Sequence, residues 1–204
     1  MLIDELKNIA RNNGIVGAGG AGFPAYAKMT EKADTVILNC VECEPLLKLH
    51  RQLLATHTEE IIQMLDEVRE SFGAKEAVIG IKSEYVTTIK AIEEVIGDFP
   101  NVRICALKAA YPMGDEVVLI YEATGRVIKP GGLPIDENVV VYNVETMYNL
   151  YRAVHLNIPV TNKLVSIVGE IDHPLTVRVP LGTTVKEAIS LAGKITVEDP
   201  AYVM

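Results

Sequence analysis

Four short runs rich in Val and Ile alternate with helix-patterned stretches, and this alternation limits the fold more than any other feature. The runs are Ala33–Asn39 (containing TVILN), Ala77–Ile81, Val102–Leu107 and Val139–Tyr142. Between them, Ile61, Ile62, Leu65 and Val68 share one helical face before a stop at Gly73. Val86, Ile89, Ile92 and Ile96 mark a second helix ending at Gly97, and Val117–Thr124 a third, stopped by Gly125. Met147–Val154 continues as a fourth, Leu46–Leu54 reads as helical, and Thr56 with Glu59 has the spacing of a capping box that starts the helix before Gly73. Continuous apolar strands separated by helices predict an α/β fold: an open, mostly parallel sheet with helices on both faces. With no Trp and three Phe, the core must be built from aliphatic side chains.

The texture changes at His155–Lys163. Val165–Val168 and Thr176–Val179 read as two strands joined through Asp172-His173-Pro174, and Thr184–Leu191 as a short helix. This ββα order predicts a small β-grasp-like module packing Val165, Ile167, Val177, Val179 and Ile189 inside. The expected division is 1–162 for the α/β domain and 163–204 for the module, which lacks an obvious final strand and is expected to be incomplete.

Ahead of the first strand lies GAGGAGFPAYAK, residues 17–28. Gly17, Gly19, Gly20 and Gly22 free the backbone to approach a ligand, successive N–H groups there can cradle an anion, and Lys28 brings a compact positive charge. The same stretch also reads as a tight loop that only turns the chain. Gly17, Gly19 and Gly22 match G-x-G-x-x-G, but that fingerprint needs a strand before it and a helix after it. Here Leu2, Ile3, Leu6, Ile9 and Ala10 predict a helix before the loop, ending at Asn13-Gly14.

Other candidate residues collect where strands end, the place where open α/β sheets put their ligand groups. Glu42 and Glu44 follow the first strand, and Asn143, Glu145 and Thr146 follow the fourth. Tyr111-Pro112 turns the chain after the third, with Gly114, Asp115 and Glu116 behind it. Cys40 and Cys43 form a CxxC with no second pair to complete a metal site, and no metal is expected there. A net charge of -8 argues against nucleic acid and anionic membranes as partners. No apolar run is long enough to cross a bilayer, and Asp4 and Glu5 do not suit a signal peptide, so the chain reads as cytoplasmic, which leaves room for a peripheral place on a membrane complex.

Five stretches in order, GAGGAGFPAYAK, NCVECEP (39–45), YPMGDE (111–116), GGLP (131–134) and VYNVET (141–146), resemble the flavin- and NADH-binding subunit of respiratory complex I. The chain is more similar still to the C subunit of the Rnf electron-transport complex and its soluble relatives, which include a cobalamin reductase of propanediol use and a proline-reductase-associated electron-transfer protein. The start, with no domain ahead of the glycine loop, looks more like the soluble relatives. The tail resembles that family's soluble-ligand-binding β-grasp (SLBB) domain.

The resemblance implies that the loop glycines and Lys28 hold FMN. It implies that Asn39, Glu42 and Glu44 line a flavin–nicotinamide cleft near the site of hydride transfer, with Tyr111, Gly114, Asp115 and Glu116 as its other wall. It places Asn143 and Thr146 on the FMN tail and Phe23 against an adenine or flavin face. The implied activity is an electron-input flavoprotein taking a hydride from NADH onto FMN, with a downstream electron-transfer partner and with iron–sulfur clusters only outside this chain. A scaffold that has lost flavin and a cobalamin reductase are the alternatives. Two departures stand out: Ala18 where the complex I subunit has Arg, and Val41 where it has Asp.

Overall fold

The computed structural model describes residues 1–203, which form two compact units: 1–43 with 50–159, and 44–49 with the chain from Val160 onward. The first begins with α1 (Ile3–Asn12), the glycine loop and a 3-10 turn over Ala25–Lys28. Then follow β1 (Thr35–Cys40), α2 (Leu49–Thr56), α3 (Thr58–Phe72), β2 (Glu76–Lys82), α4 (Val86–Val95), β3 (Val102–Leu107), α5 (Glu116–Thr124), β4 (Val139–Asn143) and α6 (Val144–Leu156). The four strands make one parallel sheet in the order β3-β2-β1-β4.

Val36, Ile37 and Leu38 of β1 and Val78, Ile79 and Ile81 of β2 are sealed from solvent, as expected for strands covered on both sides. On one face Ile37, Val78, Val139 and Val141 pack against Leu119, Ile120 and Ala123 of α5. Residues of the opposite parity turn to the other face, where α3 and α6 lie against the strands. At Gly80 a Cβ would come 2.5 Å from Leu119 Cδ1, so β2 needs glycine there to let α5 down onto the sheet.

The expected capping box does not form. Thr56 closes α2 by donating to Gln52 O, and α3 starts two residues later from His57. Thr58 then donates back to Leu54 O at 2.7 Å. A hydroxyl that can reach a carbonyl one turn back competes with capping, and here it joins two helices almost without a break.

The second unit pairs β5 (Asn162–Ile167) with β6 (Leu175–Pro180) antiparallel, followed by α7 (Val185–Leu191). Thr184 and Glu187 form a reciprocal capping box at its start. Of the expected core residues Val179 is buried, whereas Val165, Ile167, Val177 and Ile189 are half-exposed; Ile171, Ala188 and Ala192 are the other buried positions. A two-stranded sheet with one short helix has little interior to offer. No helix among the described residues is long and apolar enough to cross a membrane.

Candidate functional site

A cleft of about 320 Å³ opens at the C-terminal ends of β1 and β4. Gly17, Gly19, Gly20, Phe23, Lys28, Asn39, Glu116, Asn143 and Thr146, all expected from the sequence, line it. Ala21, Ala25, Val141 and Tyr142 complete the lining; they lie within the stretches 17–28 and 141–146 but, having no polar side chain aimed at a ligand or lying inside a strand, were not singled out as candidates.

The glycine loop is pinned at its base and open at its tip. Gly17 N donates to Phe23 O at 2.8 Å, and Val16 bridges to Pro24. Thr146, on the first turn of α6, accepts from Ala18 N at 2.9 Å and donates to Val16 O at 3.3 Å. Its one O–H is thereby used, which makes it a brace for the loop. Among the described residues, the N–H groups of Gly19, Gly20, Ala21 and Gly22 find no protein acceptor of normal geometry. Gly22 has φ +72, a conformation that glycine adopts without cost. Because a helix precedes this loop and a 3-10 turn follows it, the dinucleotide fingerprint does not apply.

The turn after Pro24 aims Lys28 across the cleft. β4 is a sheet edge, so its outward carbonyls lack a strand partner. Lys28 Nζ lies 3.3 Å from one of them, Val141 O, and 3.3 Å from Glu116 Oε1. Lys28 is therefore a shared cation, already opposed by a carboxylate at the start of α5.

Asn39 ties two walls together. Its Oδ1 accepts from Val41 N at 3.0 Å, and its Nδ2 donates to Gly114 O at 3.0 Å. Gly114 must approach closely, because a Cβ there would meet Val41 O and come within 2.8 Å of Cys43 Sγ. Asp115 N-caps α5, accepting from Val117 N and Val118 N. Gly114 and Asp115 thus shape the wall from behind while Glu116 faces the cleft.

The remaining expected residues lie outside the lining. Tyr111, after which a cis bond leads to Pro112, is 82% exposed. Glu44 is exposed and groups with the second unit. Glu42 is buried; Oε1 accepts from His50 N at 2.9 Å, while Oε2 has no hydrogen-bond partner among the described residues and sits 3.8 Å from Arg51 Nε. Burial raises its pKa, with the His50 N–H and Arg51 opposing. Burial also pushes the Cys40 thiol up, leaving it a poor nucleophile, and all three cysteines are free thiols.

A parallel sheet with a donor-lined glycine loop across its C-terminal ends defines a class of nucleotide-type cofactor domain, and comparison with known proteins narrows it to a family. Residues 10–152 match the Nuo51 FMN-binding domain and 164–200 the SLBB domain, so the chain belongs to the Nuo51 FMN-binding family, a family of oxidoreductase and electron-transfer domains. It is 40% identical over 200 residues to cobalamin reductase PduS of Salmonella typhimurium, covering 98% of this chain and 44% of that protein. It is 32% identical to the C subunit of the Na(+)-translocating ferredoxin:NAD(+) oxidoreductase complex of Acetobacterium woodii, covering 96% of this chain and 45% of that one. The chain thus spans less than half the length of these relatives. A crystal structure of an NAD+-reducing [NiFe]-hydrogenase shares the fold at a TM-score of 0.77 and 22% identity, covering 93% of this chain and 39% of that chain.

Proposed function

We propose that this chain is the electron-input module of a flavoprotein, holding FMN in the cleft and receiving a hydride from NADH. The observation that carries the reading is the loop tip: four consecutive N–H groups with no protein acceptor of normal geometry among the described residues, beside a cleft that also presents Lys28, Asn39 and Asn143. That donor set suits a phosphate and a polar sugar-alcohol tail. Gly17, Gly19, Gly20 and Gly22 would hold the anionic end, and Lys28 would balance its charge. Asn143 would bond the tail, while the exposed face of Phe23 offers a ring for stacking. Glu116 opposes Lys28 and limits how much positive charge the site presents.

Bound FMN supplies the conversion of a two-electron donor into one-electron transfers. The chain's own residues would bind and orient it, and iron–sulfur centres or another acceptor outside this chain would take the electrons. The relatives that are complex subunits support a protein partner for that step. The 40% identity to a cobalamin reductase supports a second reading, in which the final acceptor is a corrinoid. The pairing of Lys28 with Glu116 is the observation that favours a flavin-free scaffold.

Titration of the purified chain with FMN at low ionic strength tests the reading. Quenching of flavin fluorescence, followed by bleaching of the bound flavin on adding NADH, is expected. Absence of binding up to about millimolar FMN, weaker than about -4 kcal/mol, would remove it.

A further inference from the structure

The glycine loop has a fixed neck and a free tip, and the boundary between them falls at one peptide. In the neck, Gly17 N donates to Phe23 O at 2.8 Å and Ala25 N donates to Ile15 O at 3.0 Å, so the two arms pair as a short antiparallel ladder. Successive peptide groups of an extended arm face opposite sides. Ile15 O and Gly17 N are used toward the Phe23–Ala25 arm, which leaves Val16 O and Ala18 N on the other side.

Thr146 takes both. Its Oγ1 accepts from Ala18 N at 2.9 Å and donates to Val16 O at 3.3 Å. One hydroxyl thus stands in for a neighbouring strand, from a side chain that is sealed from solvent. Past Ala18 the pattern stops: among the described residues, the N–H groups from Gly19 to Gly22 have no protein acceptor of normal geometry. Thr146 therefore holds the last fixed N–H before the first free one.

The first turn of α6 supplies this hold and also borders the tip. Asn143 is the N-cap of that helix, and a Cβ on Gly19 would lie 2.5 Å from its Nδ2. Although Thr146 lines the cleft, its hydroxyl has a single hydrogen, and that hydrogen is spent on Val16 O. It cannot be donated to a ligand without letting the neck go.

We propose that Thr146 is a positioning residue for the phosphate end of the cleft: its hydroxyl fixes the backbone from Val16 to Ala18 and thereby sets the direction in which the tip presents its free N–H groups. This rests on the reading of the cleft as the flavin site. The sequence resemblance puts Thr146 on the FMN tail, whereas here its hydrogen belongs to the loop.

The test compares the parent chain with Thr146→Ser, which keeps the hydroxyl, and Thr146→Val, which keeps the branched shape and removes it. FMN affinity should fall about tenfold in the Val variant, the low end for one charge-assisted hydrogen bond, and stay within about threefold of the parent in the Ser variant. At saturating FMN the phosphorus resonance should match the parent's in the Ser variant and move toward that of free FMN in the Val variant. A Val variant with the parent's affinity, or a Ser variant as weak as Val, would overturn the proposal. So would a loss of affinity with the phosphorus resonance unmoved, because the hydroxyl would then serve stability alone.

A further readout needs no flavin. In the apo chain the Ala18 amide should exchange with solvent far more slowly than those of Gly19 and Gly20, remain slow in Thr146→Ser, and become as fast as its neighbours in Thr146→Val. An Ala18 amide as fast as Gly19 in the parent would overturn the proposal even if the Val variant did not fold. Failure of the parent to bind FMN would instead overturn the flavin reading, and amide exchange would then decide whether Thr146 fixes the loop.

Discussion

Two neighbouring strands of the α/β unit carry asparagines that pair in register near their ends, Asn39 on β1 and Asn143 on β4. Each turns its Oδ1 back to accept the N–H two residues on, at 3.0 Å from Val41 and 2.9 Å from Glu145. They differ in what the amide nitrogen meets. Asn39 donates to the carbonyl of Gly114, while the Asn143 nitrogen sits against the ring of His50, 3.1 Å from Nε2 and 3.5 Å from Nδ1 and so over its face. A carbonyl lone pair is a strong acceptor, whereas a ring face is a weak one. The same side chain in the same register thus makes one strong tie and one weak tie. The segment after each strand decides which: β1 exits into a loop that must be stitched to the start of α5, and β4 runs straight into α6, where the oxygen already serves as a cap.

Each asparagine also leans on a glycine, and breaking those two contacts should give the largest effects. A Cβ at Gly114 meets the backbone carbonyl of Val41, which cannot step aside without moving the β1 exit. Gly114→Ala should cost about 2–3 kcal/mol, a fall in Tm of about 4–12 °C for a chain of this size. A Cβ at Gly19 meets the end of the Asn143 side chain, which can swing. Gly19→Ala should lose less than half as much stability but weaken FMN binding by disturbing the loop. Thermal melts and flavin titrations of the two variants check this, and equal Tm losses would break the contrast between a rigid and a movable neighbour.

Removing the asparagines themselves should have the next largest effect. Asn39→Ala strands Val41 N and Gly114 O, at a cost of about 1–2 kcal/mol. Asn143→Ala removes a helix cap, about 1 kcal/mol. Both should weaken FMN binding, the first through a loosened wall. Asn39→Ala should therefore lower Tm at least as much as Asn143→Ala. A larger loss in Asn143→Ala, read in thermal melts of the two variants, would mean that the Gly114 tie is not the stronger one.

The sheet was legible because Val and Ile dominate strands covered on both faces, and Gly73 and Gly125 end helices with positive φ, as glycine stops should. The helix start at 56–59 was not legible, because Thr56 and Thr58 both send their hydroxyls back to the preceding turn. In the cleft, the glycines, Lys28, Asn39, Glu116, Asn143 and Thr146 were legible as loop and strand-end residues. Tyr111 and Glu44 lie in the same motifs but outside the cleft, because a motif gives order along the chain and not which neighbour turns inward. His50 left no mark in the sequence, since its contact with Asn143 joins positions 93 apart. The sharing of Lys28 with Glu116 was equally hidden, as the two are separated by 88 positions.

That ion pair spans the two halves of the comparison, since Glu116 belongs to the wall that Asn39 holds and Val141 to the strand that Asn143 ends. Both side chains are more than a third exposed, so the pair itself adds little stability, about 1 kcal/mol or less. Its effect on an anionic ligand is different, because removing one charge leaves the other acting alone. Lys28→Ala leaves Glu116 facing the phosphate and should weaken FMN binding by about three- to tenfold, one charge-assisted contact discounted for the partner it already has. Glu116→Gln removes the opposing charge, keeps an acceptor for Lys28, and should tighten binding by about two- to fivefold at low salt. Both changes should shrink as ionic strength rises, since the cleft is open to solvent. Lys32→Ala, on an exposed lysine beyond the 3-10 turn, should change nothing. Shifts of the same sign in Lys28→Ala and Glu116→Gln would mean that the pair holds the walls together mechanically and that its charge is not what the ligand feels.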